Sequence, residues 1–147
     1  MSKTRSMHHI VFATHRRIKS ITPEFKRDLY AYIFSIIKNN KSYLIRINGI
    51  EDHIHILVDI HPTVAIATLV KEVKQWSSHW LKGNEKFPLF NGWNDGYYAM
   101  SLSLQDLDAC KNYIINQEEH HRSISTISEM EAVATENGFA WHPDDWK

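Results

Sequence analysis

The segment HIHILVDI at residues 53–60 alternates imidazole and aliphatic side chains, and this alternation sets strong limits on the fold. Successive side chains of a β-strand point to opposite faces of the sheet, so the two kinds of side chain must separate. The aliphatic row consists of Ile54, Ile56, Val58 and Ile60. It suits a core covered by helices, whereas the row that starts with His53 and His55 faces the other way.

The spacing of apolar residues elsewhere predicts further strands and helices. The predicted strands are 7–15, 42–50, 53–60 and 97–104, and the later predicted helices are 64–81, 105–121 and about 125–137. A first helix is predicted to begin at Pro23, with Thr22 as its N-cap, and to end at the NNK of residues 39–41. Asn48-Gly49 and Glu51-Asp52 predict a tight turn between the second and third strands.

The order of these elements predicts an α+β fold. Strand, helix, strand, strand, helix, strand is the ferredoxin-like split βαβ arrangement (βαββαβ), an antiparallel sheet with two helices on one face. A C-terminal helix that carries Tyr113, and a tail, are added to it. The histidine row is therefore expected on the free face of the sheet. A chain of 147 residues fits one domain over 1–147, with a core over about 7–121 and a tail over 122–147.

Composition indicates the cellular compartment of the protein more clearly than its chemistry. The single Cys110 cannot form an internal disulfide, which fits a reducing compartment. The sequence contains no run of about 18 apolar residues, so no membrane span is expected. Its first twelve residues do not resemble a signal peptide. We expect a cytoplasmic protein. The 17 basic and 17 acidic residues cancel, but bases predominate in residues 1–46, and a local basic surface can attract phosphates.

Two separated pairs of residues carry the candidate chemistry. His53 and His55 point the same way from one strand and suit a shared metal ion or phosphate, although two solvated polar residues explain the pattern equally well. Tyr113 and Gln117 are four residues apart on one helix, hence on one face. Tyrosine can be a covalent nucleophile, and glutamine can supply a neutral oxygen ligand.

Two enzyme classes with paired histidines do not fit the sequence. Histidine-triad nucleotide hydrolases need a third alternating histidine, where this chain has Leu57. Two-histidine phosphodiesterases need two separate His-x-Thr/Ser elements, and HIH at 53–55 is not one of them.

The segment DHIHILV at 52–58, followed by YIINQEEHH at 113–121, resembles the single-tyrosine HUH transposases of IS200-like insertion sequences and the related REP-associated tyrosine transposases. The similarity extends to MHHIVFATHRR, GWNDGYYAMSLS and the closing NGF and Trp, over nearly the whole chain. One departure is His15, where the family pattern has Lys or Arg.

The resemblance implies a DNA strand transferase with a metal-dependent active site. His53, His55 and Gln117 would hold one divalent ion, Mg²⁺ or Mn²⁺, and Tyr113 would attack a DNA phosphate to give a 5′-phosphotyrosine and a free 3′-OH. Asp52 either orients a ligand histidine or only forms the hairpin turn, and the turn is the favoured interpretation. His121 shares the face of Gln117 and is a further candidate for the site.

The implied partners are single-stranded DNA with hairpins and a second copy of the chain. In such homodimers the tyrosine helix can serve the histidine pair of either subunit. Candidate phosphate contacts are Arg16, Arg17, Lys19, Lys41, Lys71 and Lys74. A solvated surface charge is the competing interpretation for each of them.

Two other functions remain open at this stage. One is a domesticated, non-catalytic protein of the same fold that binds nucleic-acid hairpins, although such a protein would not need Tyr113. The other is a replication initiator or relaxase, but these enzymes usually carry additional domains.

Overall fold

The computed structural model describes residues 2–146. Within that range the strands are β1 (Met7–Ala13), β2 (Tyr43–Ile50), β3 (His53–Asp59) and β4 (Tyr98–Ser101). The helices are α1 (Lys26–Asn39), α2 (Ile66–Leu81), α3 (Leu107–Ile115), α4 (Gln117–His120) and α5 (Thr126–Glu136). Short 3-10 turns lie at His15–Arg17, Pro23–Phe25, Leu104–Asp106 and Pro143–Trp146. None of the helices in this part of the chain has the length and apolarity to cross a bilayer.

The strands form one antiparallel sheet in the order β2-β3-β1-β4. This confirms the predicted α+β, ferredoxin-like arrangement. The two central strands, β3 and β1, run side by side, and their register pairs His53 with Ala13 and His55 with Val11. The histidine pair therefore lies in the middle of the sheet, where both neighbouring strands restrict its backbone.

The aliphatic row of β3 faces the main core, as predicted. Ile54, Ile56 and Val58 are fully or almost fully buried in a cluster with residues of α1 and α2. Leu29 of α1 and Leu69 of α2 belong to the same cluster. The two long helices therefore cover one face of the sheet and fix which way β3 presents its histidines.

The expectation that the opposite face of the sheet stays free was wrong. His53 and His55 are completely buried, because Gln117 of α4 and Glu129 of α5 lie against them. Met130, Val133 and Trp146 form a second apolar cluster there with residues of β1 and β4. The physical reason lies in β1, which is apolar on both of its faces and so needs a covering layer on each side.

The hairpin between β2 and β3 differs in detail from the prediction. Asn48 and Gly49 belong to β2, and only Glu51 and Asp52 form the turn. Gly49 has no room for a side chain, because a Cβ atom would lie 2.1 Å from the carbonyl oxygen of His53.

The start of the first helix also differs. Thr22 does not cap it, because Pro23–Phe25 first form a 3-10 turn and α1 begins only at Lys26. The Thr22 hydroxyl instead donates to the carbonyl oxygen of Lys86 at 2.6 Å.

The predicted helix over 105–121 is divided in two. The backbone leaves helical geometry at Asn116 (φ −91°, ψ 17°), between α3 and α4. The side-chain amide of Asn48 donates to the carbonyls of Ile114 and Ile115, each at 3.0 Å, and so satisfies two acceptors at the end of α3. A side chain from β2 thereby stabilises a break that sequence periodicity does not reveal.

Candidate metal and nucleophile site

The two histidines of β3 are each held by a partner at Nδ1. His53 Nδ1 donates to Asp52 Oδ1 at 2.8 Å, and His55 Nδ1 shares a 2.8 Å hydrogen bond with His9 Nε2 of β1. Asp52 is itself held by the Thr126 hydroxyl, which donates to its two carboxylate oxygens at 3.0 and 3.1 Å. These contacts turn both Nε2 atoms toward one point, as the hydrogen-bond partners of metal-bound histidines do. Asp52 thus both forms the turn and orients His53, so the interpretation that favoured the turn alone was too narrow.

Gln117 and Tyr113 lie at the same point. Gln117 is fully buried, and its Oε1 lies 3.2 Å from His53 Nε2. The Tyr113 ring meets the His55 ring edge-on, with 5.5 Å between centroids. In this structure all four residues meet within one chain. The break at Asn116 does not separate Tyr113 from Gln117.

Glu129 on α5 is the central residue that the sequence did not reveal. Its Oε1 lies 3.0 Å from His53 Nε2, 3.3 Å from His55 Nε2 and 2.9 Å from His121 Nε2. Its Oε2 accepts hydrogen bonds from Gln117 Nε2, at 2.9 Å, and from the Tyr113 hydroxyl. A pattern could have indicated it, since Glu129 shares the buried face of its helix with apolar residues that follow it. An acidic residue on that face needs a buried partner.

Two more histidines that were not singled out belong to the cluster. His9 lies behind His55, and His120 Nε2 lies 3.4 Å from Glu129 Oε2. His121, which was predicted as a further candidate, lies beside Glu129, and its Nδ1 donates to the Ile124 carbonyl at 2.7 Å.

Burial and mutual contacts shift the pKa values of these groups. Burial lowers the pKa of His55 to about 4 and, together with His55, that of His9 to about 3. Burial also opposes a charge on His53, but Asp52 and Glu129 outweigh it and raise the pKa to about 9. Burial opposes the Glu129 charge as well, yet hydrogen bonds from the surrounding imidazoles hold its pKa far below the usual range. Burial and the Glu129 carboxylate raise the pKa of Tyr113, so its phenol keeps its proton at neutral pH.

The donor atoms at this point suit a divalent ion. The ligand atoms of His53, His55 and Glu129 all lie within 4.8 Å of one another, and His120, His121 and Glu129 form a second such group. Imidazole nitrogens with amide and carboxylate oxygens form a mixed N/O set, which first-row divalent metals accept. A cavity of about 840 Å³ adjoins Tyr113, His9 and Glu129 and leads from the site to the surface.

The six basic residues predicted to contact DNA do not form one surface. Arg16, Arg17 and Lys19 follow β1 and lie near the histidine end of the sheet. Arg16 and Lys74 both contact Asn94, through a backbone amide and an ammonium group respectively. Lys41 precedes the opposite end of the sheet.

Arg17 has the closest connection to the site among these basic residues. It lies close enough to Asp52 to help lower the pKa of that carboxyl, after the larger effect of the hydrogen bond from His53. Arg17 has a φ of 54°, a strained value for a non-glycine residue, and its Nε atom is buried without a hydrogen-bond partner among the described residues.

The remaining bases are exposed or tied to backbone. Lys71 and Lys19 are exposed, whereas Lys74 Nζ donates to the carbonyls of Asn94 and Gly96 at 2.8 and 2.6 Å. Burial lowers the pKa of Lys74 to about 8.

Comparisons with known proteins agree with the fold described above. The family model described as "Transposase IS200 like" matches residues 2–117. A solved structure assigned to a transposase of Deinococcus radiodurans R1 is 25% identical, with a TM-score of 0.58, over 80% of this chain and 98% of that one. A REP-associated tyrosine transposase bound to a REP hairpin is 15% identical, with a TM-score of 0.62, over 84% of this chain and 76% of that one. No curated protein matches the sequence significantly. The family match ends at Gln117, so α5 and Glu129 lie outside it.

Proposed function

The chain belongs to the IS200-like transposase family, and we propose that it cleaves and rejoins single-stranded DNA by a metal-dependent HUH mechanism with Tyr113 as nucleophile. The observation that carries the proposal is the convergence of Tyr113 with His53, His55 and Gln117 inside one chain. A non-catalytic binding protein would have no need for a half-buried tyrosine beside paired imidazoles.

The protein's own residues prepare the proposed metal site. Asp52 fixes the proton of His53 on Nδ1, and His9 occupies Nδ1 of His55, so the Nε2 atoms face the shared point. Gln117 donates from Nε2 to Glu129, which fixes its amide orientation and leaves Oε1 to act as a ligand. A divalent ion bound by these three atoms, Mg²⁺ or Mn²⁺, would act as a Lewis acid toward the scissile phosphate.

Tyr113 carries out the proposed bond exchange. Its Oη attacks the phosphorus atom in line, the bond from phosphorus to the 3′ oxygen breaks, and the 3′ oxygen leaves as a hydroxyl. The Tyr113 hydroxyl donates to Glu129 Oε2, which holds the phenol in position, and the phenolic proton ends on the departing 3′ oxygen. Because the 5′-phosphotyrosine keeps the energy of the broken phosphodiester, attack by a 3′-OH rejoins the strand without ATP.

The proposed partner is single-stranded DNA that carries hairpins. One structural relative was solved with a REP hairpin, which supports this choice. Among the candidate phosphate contacts, Arg17 has the most support, because its Nε lacks a partner and its backbone is strained. Contacts by Arg16, Lys19, Lys41, Lys71 and Lys74 stay predictions, and so does the homodimer.

A gel assay for covalent adducts tests this function. Labelled single-stranded DNA from the ends of the protein's own genomic locus is incubated with protein and with Mn²⁺ or EDTA. We expect a denaturant-resistant shifted band that needs Mn²⁺, disappears in Tyr113→Phe and persists in Tyr43→Phe, whose side chain lies exposed on β2. An adduct formed by Tyr113→Phe would show that the nucleophile is wrong. Tight hairpin binding without any adduct would favour the non-catalytic alternative.

A further inference from the structure

The geometry points to Glu129 as a fourth protein ligand of the divalent ion, which makes the site His53, His55, Gln117 and Glu129. This inference rests on the proposed function, because it concerns the same ion. It adds a charged ligand from α5, a helix that lies beyond the family match.

The distances between donor atoms fit a common coordination sphere. Ligands bound at about 2.1 Å and at right angles to one another lie about 3 Å apart. Glu129 Oε1 lies 3.0 Å from His53 Nε2 and 3.3 Å from His55 Nε2, and Gln117 Oε1 lies 3.2 Å from His53 Nε2. The carboxylate oxygen therefore has nearly the same spacing to His53 Nε2 as the glutamine oxygen does.

The hydrogen-bond pattern directs electron pairs, rather than donors, toward this point. His53 gives its Nδ1 proton to Asp52, and Gln117 gives its amide protons to Glu129 Oε2. His53 Nε2, Gln117 Oε1 and Glu129 Oε1 then face one another as acceptors unless a cation, either a proton or a metal ion, lies among them. Such convergence of acceptors is what a cation site requires.

Glu129 uses its two oxygens differently. Oε1 faces the imidazoles, whereas Oε2 accepts from Tyr113 and Gln117. One carboxylate can thus bind the ion and hold the nucleophile beside it. The additional anionic oxygen also suits Mg²⁺, which two imidazoles and an amide alone would serve poorly.

The helix that carries Glu129 is held in the fold by a cap and by buried contacts. These contacts argue against a segment that only covers the site and leaves when substrate binds. Ser125 caps α5, with its Oγ accepting from the Ser128 amide at 3.2 Å. Thr126 is buried against Asp52, and Met130 is fully buried in the second apolar cluster. The cavity of about 840 Å³ reaches both Tyr113 and Glu129, so a phosphate can approach while α5 stays in place.

Binding of Mn²⁺ to the full chain, measured by electron paramagnetic resonance titration, tests the assignment without depending on activity. We expect Glu129→Gln to weaken Mn²⁺ binding by at least about tenfold, the lower limit seen even for groups that only support a ligand. Glu131→Gln makes the same charge change on an exposed position of α5 and should bind Mn²⁺ as the wild type does. Glu129→Asp keeps the charge but shortens the side chain, so its affinity should lie between those of the wild type and Glu129→Gln.

The outcomes separate this inference from the proposed function. Equal or tighter Mn²⁺ binding by Glu129→Gln, with His53→Ala still abolishing it, would overturn the role of Glu129 and leave the metal-dependent mechanism intact. Absence of Mn²⁺ binding in the folded wild type would overturn both. Far-UV circular dichroism in EDTA checks the fold of each variant. If Glu129→Gln does not fold, Glu129→Asp decides, and wild-type affinity in that variant would overturn the assignment.

Discussion

Acid should destabilise the metal-free protein through its buried imidazoles. His9 and His55 are buried and share a hydrogen bond, and both have lowered pKa values, about 3 and about 4. A lowered histidine pKa means that the unfolded chain binds protons more readily. Stability is therefore lost as the pH falls below about 6.5, the pKa of an unperturbed histidine.

The size of the effect follows from the pKa shifts. At pH 5 each of His9 and His55 should cost about 2 kcal/mol of unfolding free energy relative to pH 7. His53 acts in the opposite direction, because its pKa is raised to about 9 and its stabilisation is fully present only below pH 6.5. Between pH 7 and pH 5, His53 therefore adds less than about 1 kcal/mol to the unfolding free energy. The lowered pKa values of Asp52 and Glu129 keep both carboxylates ionised at pH 5, so their contribution stays. The net loss is about 3 kcal/mol.

Urea unfolding in EDTA at pH 7, 6 and 5, followed by far-UV circular dichroism, measures this loss. The midpoint should fall with pH while the slope stays constant, since the surface exposed on unfolding does not change. His9→Gln should remove about two-thirds of the pH dependence, whereas His79→Gln, on an exposed position of α2, should not alter it. The reasoning is refuted if the wild type has the same unfolding free energy at pH 7 and pH 5.

Two further changes test the packing around the site. Gly49→Ala should cost about 3 kcal/mol of unfolding free energy and weaken Mn²⁺ binding. The reason is that the new Cβ meets the backbone of His53 and Ile54, which cannot move aside without disturbing the sheet. A loss below about 1 kcal/mol in urea unfolding would contradict the close approach of β2 and β3. Burial, together with Asp106, raises the pKa of Cys110 to about 11, so iodoacetamide at pH 8 should alkylate the native protein about 100-fold more slowly than the urea-unfolded chain. Equal rates, read by mass spectrometry, would show that the thiol is neither buried nor perturbed.

Much of the fold could be predicted because its signals are local. The alternation in β3 assigns Ile54 and Ile56 to one face and His53 and His55 to the other, and the structure has both assignments. Helical spacing predicted α1, α2 and α5 to within a few residues at each end. Periodicity is reliable here because each of these elements buries one clear apolar face.

The features that sequence patterns missed depend on contacts between distant segments. The break at Asn116 arises because Asn48, 66 residues before Ile114, satisfies the end of α3. The covered histidine face depends on α5, which no local signal attaches to the sheet. The apolar character of both faces of β1 was the available clue, since a strand with two buried faces implies two covering layers.

Helix α5 also contacts both parts of the proposed active site, the histidine pair and the tyrosine. Thr126 holds Asp52, which orients His53, and Glu129 holds the hydroxyl of Tyr113. Because these two α5 residues are three positions apart, they lie on one face of the helix and move together. A displacement of α5 would therefore disturb the orientation of His53, a proposed metal ligand, and the position of Tyr113, the proposed nucleophile, at once. The proposed ion site and the proposed nucleophile thus both depend on the packing of α5, although His53, His55, Tyr113 and Gln117 themselves come from β3, α3 and α4.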